Sequence, residues 1–209
     1  MINSFTPDKF KHIPPNIFGS GTLSKMYWDF AQEFYLISEQ EFKNGSLYSN
    51  YVIPAIIFYC SCVEANINEQ LAIQEGFVHD CEEKNKIFSL KKEGLKKKVK
   101  LSFEMFRQCA KKEHINKTII DDFLALAEVR NAFVHFKPDW DSNLFNWPMR
   151  LKAAFQKSEI DPKVADWTVV FCSKIFIDWT RDKTKSILIK FFGITGQDKN
   201  DFFKENRKE

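Results

Sequence analysis

Apolar residues recur at spacings of three and four along most of the chain. From Thr22 to Lys43, the residues Leu23, Met26, Phe30, Phe34, Ile37 and Phe42 follow a near-helical period, and Asn44-Gly45 stops the run. The pattern predicts a second helix from about Asn50 to Glu75, ended by Gly76. Pro54 falls in its first turns, where a missing N–H is tolerated. The Lys-rich stretch that follows predicts two shorter helices broken near Gly94. A fourth strong helix is predicted over Lys117 to Phe136, stopping before Pro138. Beyond a Trp/Pro loop around 139–148 come a short helix, Met149 to Lys157, and a long one from Pro162 to about Phe192, before Gly193.

Composition supports the same picture. Only 7 Gly and 7 Pro in 209 residues leave few turn formers, which favours long helices over a many-stranded sandwich or barrel. The expected fold is an all-α, antiparallel helical bundle of about five to seven helices. Residues 22–193 form one domain in this reading. They are preceded by an irregular arm, 1–21, with Pro7, Pro14, Pro15, Gly19 and Gly21, and followed by a charged tail, 194–209. Five scattered cysteines without a Cys-x-x-Cys pair read as reduced, buried thiols rather than disulfides. The N-terminus lacks the apolar core of a secretory signal. The most apolar stretch, Val52 to Val63, is too short to span a bilayer. The expectation is a cytoplasmic protein with no membrane partner.

Charge changes the picture once it is resolved along the chain. The net charge is +3, yet Lys84 to Lys112 holds 11 basic and 2 acidic residues, a local balance of +9. The rest carries 20 basic and 26 acidic residues, a balance of −6. A concentrated basic segment is the electrostatic footprint expected for a phosphate-rich partner, although a solvated helix face has the same composition.

Two helices place polar residues where apolar ones are expected. On the fourth, the stripe Ile120, Phe123, Leu124, Ala127 and Val134 is interrupted or bordered by Arg130, Asn131 and His135. Asn131 and His135 are four apart and share a side. On the second, a polar line of Ser61, Glu64 and Asn68 runs beside the seam Ile53, Ile56, Cys60, Val63, Ile67 and Leu71. If those lines meet, a carboxylate comes near an Arg and a His. The arrangement would serve equally as a buried Glu64–Arg130 ion pair that sets helix register.

The run Glu128-Val-Arg130-Asn131-Ala-Phe-Val-His135-Phe-Lys-Pro138 resembles the motif of HEPN domains. That motif is an Arg followed after four to six residues by a His, commonly with a polar residue next to the Arg, on a late helix of an all-α bundle. The segment Ser61-Cys-Val-Glu64-Ala-Asn-Ile-Asn68 is similar to an earlier helix of such proteins, which often carries an acidic residue near the Arg/His pair. The resemblance spans Thr22 to about Phe136 by helix order and is specific over these two stretches alone. It implies a metal-independent endoribonuclease that needs no cofactor and acts as a homodimer, with a toxin or phage-defence role and a regulatory partner such as an antitoxin. The RNA 2′-OH is the nucleophile, so no Ser or Cys is required. His135 would move protons, because imidazole is the side chain that ordinarily titrates near neutrality. Arg130 would offer a permanently charged donor fork to the developing charge on phosphorus. Asn131 would orient His135 or contact phosphate, and Glu64 would orient Arg130 or tune His135, with Ser61 and Asn68 supporting them. Lys91, Lys92, Lys96, Lys97, Lys98 and Lys100 would form an RNA track, since backbone neutralisation needs charge more than shape.

Two other functional classes stay open on the same residues. One is a non-catalytic HEPN-like module that binds a partner protein, nucleotide or RNA. The other is a helical bundle holding a small molecule beside Glu64 and Arg130. His12, His79 and His114 lack a second ligand at metal spacing, so no metal site is expected. Gly19-Ser20-Gly21 is not followed by the Gly-Lys-Ser/Thr of a phosphate loop. Asp121-Asp122 reads as an acidic helix start that favours the dipole. Trp140, Trp147, Trp167 and Trp179 read as core more readily than as base-stacking residues, and Phe191-Phe192 as a partner contact or a helix end.

Overall fold

The computed structural model describes residues 22–109, 117–135, 152–157 and 170–204. Within them it has eight helices and no strand: α1 (Leu23–Lys43), α2 (Val52–Phe77), α3 (Cys81–Lys92), α4 (Leu95–Cys109), α5 (Lys117–Val134), α6 (Lys152–Lys157), α7 (Lys174–Thr195) and α8 (Lys199–Phe203). Six have twelve residues or more, so the all-α reading with five to seven helices holds. No helix among the described residues is long and apolar enough to cross a membrane.

The chain sorts into two compact units, interleaved in sequence. Among the described residues the first takes 22–26, 62–109, 117–120 and 186–204, and the second takes 27–61, 121–135, 152–157 and 170–185. In the first unit, Val63, Ile67 and Leu71 of α2, Val99, Phe103 and Phe106 of α4, and Leu188, Phe191 and Phe192 of α7 are buried. The Phe191 ring meets Phe103 at 4.9 Å and Phe106 edge-on at 5.4 Å, and Phe192 packs on Phe202 and Phe203 of α8. The pair Phe191-Phe192 therefore packs within this unit, each ring contributing about 2–3 kcal/mol of burial. The start of α1 is held by polar groups. The Thr22 hydroxyl accepts from the Lys25 amide, while Glu69 accepts from the Ser24 amide at 2.9 Å and hydroxyl at 2.6 Å. A carboxylate on those orphan donors also favours the helix dipole. Asp80 caps α3 in the same way, accepting from the amides of Glu82 and Glu83.

In the second unit, Trp28, Ala31 and Tyr35 of α1 are buried, as are Ala55, Ile56 and Tyr59 of α2. Trp28 meets Tyr59 edge-on at 5.4 Å, and the Gln32 amide donates to the Tyr59 hydroxyl at 2.8 Å. Tyr35 donates to Asp178 of α7 at 2.8 Å. Burial, reinforced by that hydrogen bond and the Asp178 charge, raises its titration beyond the ordinary phenol range.

Several expectations change. The α1 stripe read from the sequence is not the inward face: Leu23, Met26, Phe30 and Ile37 are 38–47 % exposed. The buried line is Ser24, Trp28, Ala31, Tyr35 and Ser38, also spaced by three and four. Apolar residues occupy more than half of this helix, so periodicity alone cannot choose the face. On α5, every residue from Asp122 to Ala127 is buried, whereas Val134 is 48 % exposed. The middle of α5 is thus enclosed all round, and the helix is exposed only toward its two ends, at Lys117–Thr118 and at Val134. Gly76 lies inside α2 and Gly193 inside α7, neither with positive φ; α7 stops instead before Gly196, at φ 80. The long C-terminal helix is interrupted at Cys172–Ser173, so α7 begins at Lys174; its expected start, from Pro162, lies outside the described residues. Part of the tail forms α8, behind the cap Asp198. Of the cysteines, Cys60, Cys62 and Cys172 are free and buried, but Cys81 is free and exposed.

Candidate functional site

Arg130, Asn131 and His135 sit together at the C-terminal end of α5, in the second unit. The burial gradient along this helix gives them their setting. Arg130 and Asn131 are half-buried, one turn beyond the enclosed stretch, and His135 is exposed where the helix ends. The His135 amide donates to the Asn131 carbonyl at 3.0 Å, which carries the helical hydrogen bonding up to His135. Arg130 Nη1 donates to Asn131 Oδ1 at 2.9 Å. The Asn131 side chain is thus placed on the Arg130 guanidinium, a partner the sequence reading did not give it. The His135 imidazole has no hydrogen bond or ion pair among the described residues.

Glu64 belongs to the first unit. Its Oε1 accepts from Lys98 Nζ at 3.0 Å, with the Lys98 side chain 4 % and the Glu64 side chain 29 % exposed. Ser61 and Asn68 are half-buried, and the Asn68 side-chain oxygen is enclosed.

The lysines expected to carry RNA fall into three settings. Lys98 is inside, on the buried face of α4 with Val99, Ser102 and Phe103. Lys91 is paired with Glu75 and Lys97 with Glu93, the latter at 2.5 Å. Lys92 lies 3.9 Å over the Phe88 ring, while Lys96 and Lys100 are exposed with no ion pair among the described residues. Lys92, Lys96, Lys97 and Lys100 are thus exposed, whereas Lys91 is half-buried and Lys98 enclosed.

Sequence reasoning missed a second centre of charge. Asp122 is buried, its Oδ1 bonded to Lys157 of α6 and its Oδ2 to Lys183 of α7 at 2.9 Å. Burial opposes its ionisation, but the two ammonium groups outweigh that and hold the carboxyl below its ordinary range. The helix-start reading of Asp122 is replaced by this: α5 begins at Lys117, and the carboxylate is a structural anion joining three helices. Nothing local in the sequence signals it, since its lysines lie on other helices. Asn66, Gln70 and Gln74 are likewise fully or almost fully buried on α2, a polar line that the apolar seam concealed.

Among the described residues, no group of three or more His, Cys, Asp or Glu is placed to hold a metal ion. Trp179 is half-buried against Phe176, with ring centroids 5.3 Å apart; Trp140, Trp147 and Trp167 lie outside the described residues. No family model matches the chain, and no curated protein or solved structure matches it.

Proposed function

We propose that this chain is a metal-independent endoribonuclease of HEPN type. The observation that carries the reading is the end of α5, where an exposed His135 follows, one turn on, an Arg130 guanidinium bonded to Asn131. His135 takes the proton of the RNA 2′-OH as that oxygen attacks the adjacent phosphorus. Arg130, held by Asn131, stabilises the charge that develops on the phosphoryl oxygens. The P–O5′ bond breaks and the leaving 5′ oxygen takes up, by way of solvent, the proton that His135 accepted, giving a 2′,3′-cyclic phosphate and a 5′-hydroxyl. Lys92, Lys96, Lys97 and Lys100 attract the RNA backbone. A homodimer, a cytoplasmic location, a toxin or phage-defence role and a neutralising protein partner complete the reading.

The test is incubation of the purified full chain with RNA in EDTA. Wild type cuts, leaving cyclic phosphate ends, and His135→Ala lowers the rate by about 10²–10⁴ while its thermal unfolding is unchanged. Intact RNA with a folded wild-type protein overturns the proposal. RNA binding without cleavage, at an affinity that His135→Ala leaves unaltered, assigns the chain to the non-catalytic binding class instead.

A further inference from the structure

A recess of about 400 Å³ lies at the α1–α2 turn, within the second unit, lined by Glu41, Ser46, Leu47, Tyr48, Asn50 and Tyr51. Its walls are set by local chemistry. Gly45, at φ 94, closes α1 with the Ser46 amide donating to the Glu41 carbonyl and the Gly45 amide to the Phe42 carbonyl, both at 3.1 Å. That is the left-handed helix stop that glycine accommodates without strain. The segment between Tyr48 and Asn50 is anchored by buried Ser49, whose amide donates to the Cys172 carbonyl at 3.0 Å and whose hydroxyl accepts from the Tyr51 amide. The Tyr51 ring is held by stacking on Phe34 at 6.4 Å, and Phe34 stacks in turn on Phe58 at 5.8 Å and 6°. The recess is therefore lined in part by a tyrosine that packs on Phe34 and keeps 39 % of its surface exposed. Tyr48 supplies a second ring, 55 % exposed.

Glu41 is the one charged residue of this lining. The cations at this end of α1 are engaged elsewhere: Lys43 pairs with Glu39, and Lys174 with Glu39 and Asp178. The Glu41 carboxylate has no hydrogen bond or ion pair among the described residues. A lining that holds one half-buried carboxylate, two electron-rich rings and the neutral polar groups of Ser46 and Asn50 is complementary to a positive, partly apolar group. Coulomb attraction supplies the sign, and the ring faces favour a diffuse organic cation over a small, strongly hydrated inorganic ion. The volume sits at the small end of ligand sites, large enough for one head group and a few carbons but not for a helix.

We infer that this recess binds an organic cation, a guanidinium or alkylammonium group, through Glu41, Tyr48 and Tyr51. The inference is independent of any ribonuclease activity. It is tested on the full chain by following the backbone amides of Gly45 to Tyr51 by NMR during titration with methylguanidinium and with Nα-acetyl-arginine amide. The neutral control is Nα-acetyl-citrulline amide. Saturable shifts confined to residues 41–51 are expected, with a dissociation constant on the order of millimolar, as exposed cation–π and ion-pair contacts provide. Glu41→Gln should weaken binding about fivefold. Tyr48→Ala should weaken it further in combination, and both variants change exposed or half-buried groups, so spectra outside the recess stay as in wild type. Tighter binding of the capped arginine than of methylguanidinium assigns the source to a side chain of a partner protein; equal binding assigns it to a free small cation. Equal shifts with the citrulline compound, no saturation by about 50 mM, or wild-type affinity in Glu41→Gln would each overturn the inference.

Discussion

Asp122 and Glu64 are both carboxylates held by lysine, but the burial is reversed between them. In the second unit the anion is inside: the Asp122 side chain is 8 % exposed, while those of Lys157 and Lys183 are 30 % and 34 % exposed. In the first unit the cation is inside, with Lys98 at 4 % and Glu64 at 29 %. A lysine can run its stem along apolar surface and bring its charge either to a rim or to a buried anion. The contrast teaches that the energetic consequence of a substitution depends on which charge stays behind in the low-dielectric interior. Removing the rim partner strands the buried one, whereas removing the buried partner leaves the other facing water.

The largest effect should therefore come from Lys157→Met combined with Lys183→Met. That double variant leaves Asp122 buried with no cation, at a cost of about 3–5 kcal/mol in urea unfolding at pH 7. Either single variant keeps one ammonium on the carboxylate and should cost about 1 kcal/mol. The two changes should thus be strongly non-additive, by up to about 3 kcal/mol. Strict additivity would mean that the two lysines do not share one anion.

Glu64→Ala should come next, at about 3 kcal/mol, because it leaves Lys98 enclosed without its carboxylate. The loss is smaller than for the double lysine variant, since a flexible stem can swing part of its charge outward while a short Asp cannot. Lys98→Met is the informative partner experiment. It removes the buried charge, leaves Glu64 at the rim and keeps the volume, so its effect should lie within about 1 kcal/mol of zero. If Lys98→Met costs as much as Glu64→Ala, the reversed burial does not govern the energetics. The same variant bears on nucleic-acid binding. An enclosed Lys98 contributes no counterion release, so under the proposed RNA binding the salt dependence of affinity should be unchanged by Lys98→Met and reduced by Lys96→Met and Lys100→Met.

What the sequence made legible follows from the range over which each signal acts. Helix existence is local and strongly periodic, and Asn44-Gly45 and the break near Gly94 marked real helix ends. The inward face of α1 was not legible. Phe30 and Ile37 compete with Trp28, Ala31 and Tyr35 for the core of the second unit, and the decision rests on partners such as Tyr59 and Asp178 that are distant in sequence. The residues of the α5 terminus were legible as a group, because Arg130, Asn131 and His135 interrupt one helix within two turns. Their individual settings were not, since they depend on how far the burial of α5 extends. The Asp122 centre and the Lys98–Glu64 pair were invisible for the same reason: lysine pairing across 34 or 35 residues leaves no periodic trace.

The smallest expected effect is the most direct measure of the Asp122 environment. Its folded titration lies below the unfolded value, so the ion pairs contribute stability above the ordinary Asp range, near 3.9, and that contribution is lost as pH falls through the lowered folded value. Protonation is milder than removing the lysines, because a neutral carboxyl is more easily buried and can still accept from Lys157 and Lys183. Urea unfolding of wild type and Asp122→Asn between about pH 5 and pH 2 isolates the group, since the other carboxylates titrate in both proteins. The wild type should be the more stable near pH 5, and the difference should shrink steadily toward pH 2. A difference that stays constant across this range would show that the Asp122 carboxyl titrates alike in the folded and unfolded chain, and that the two lysines do not hold it.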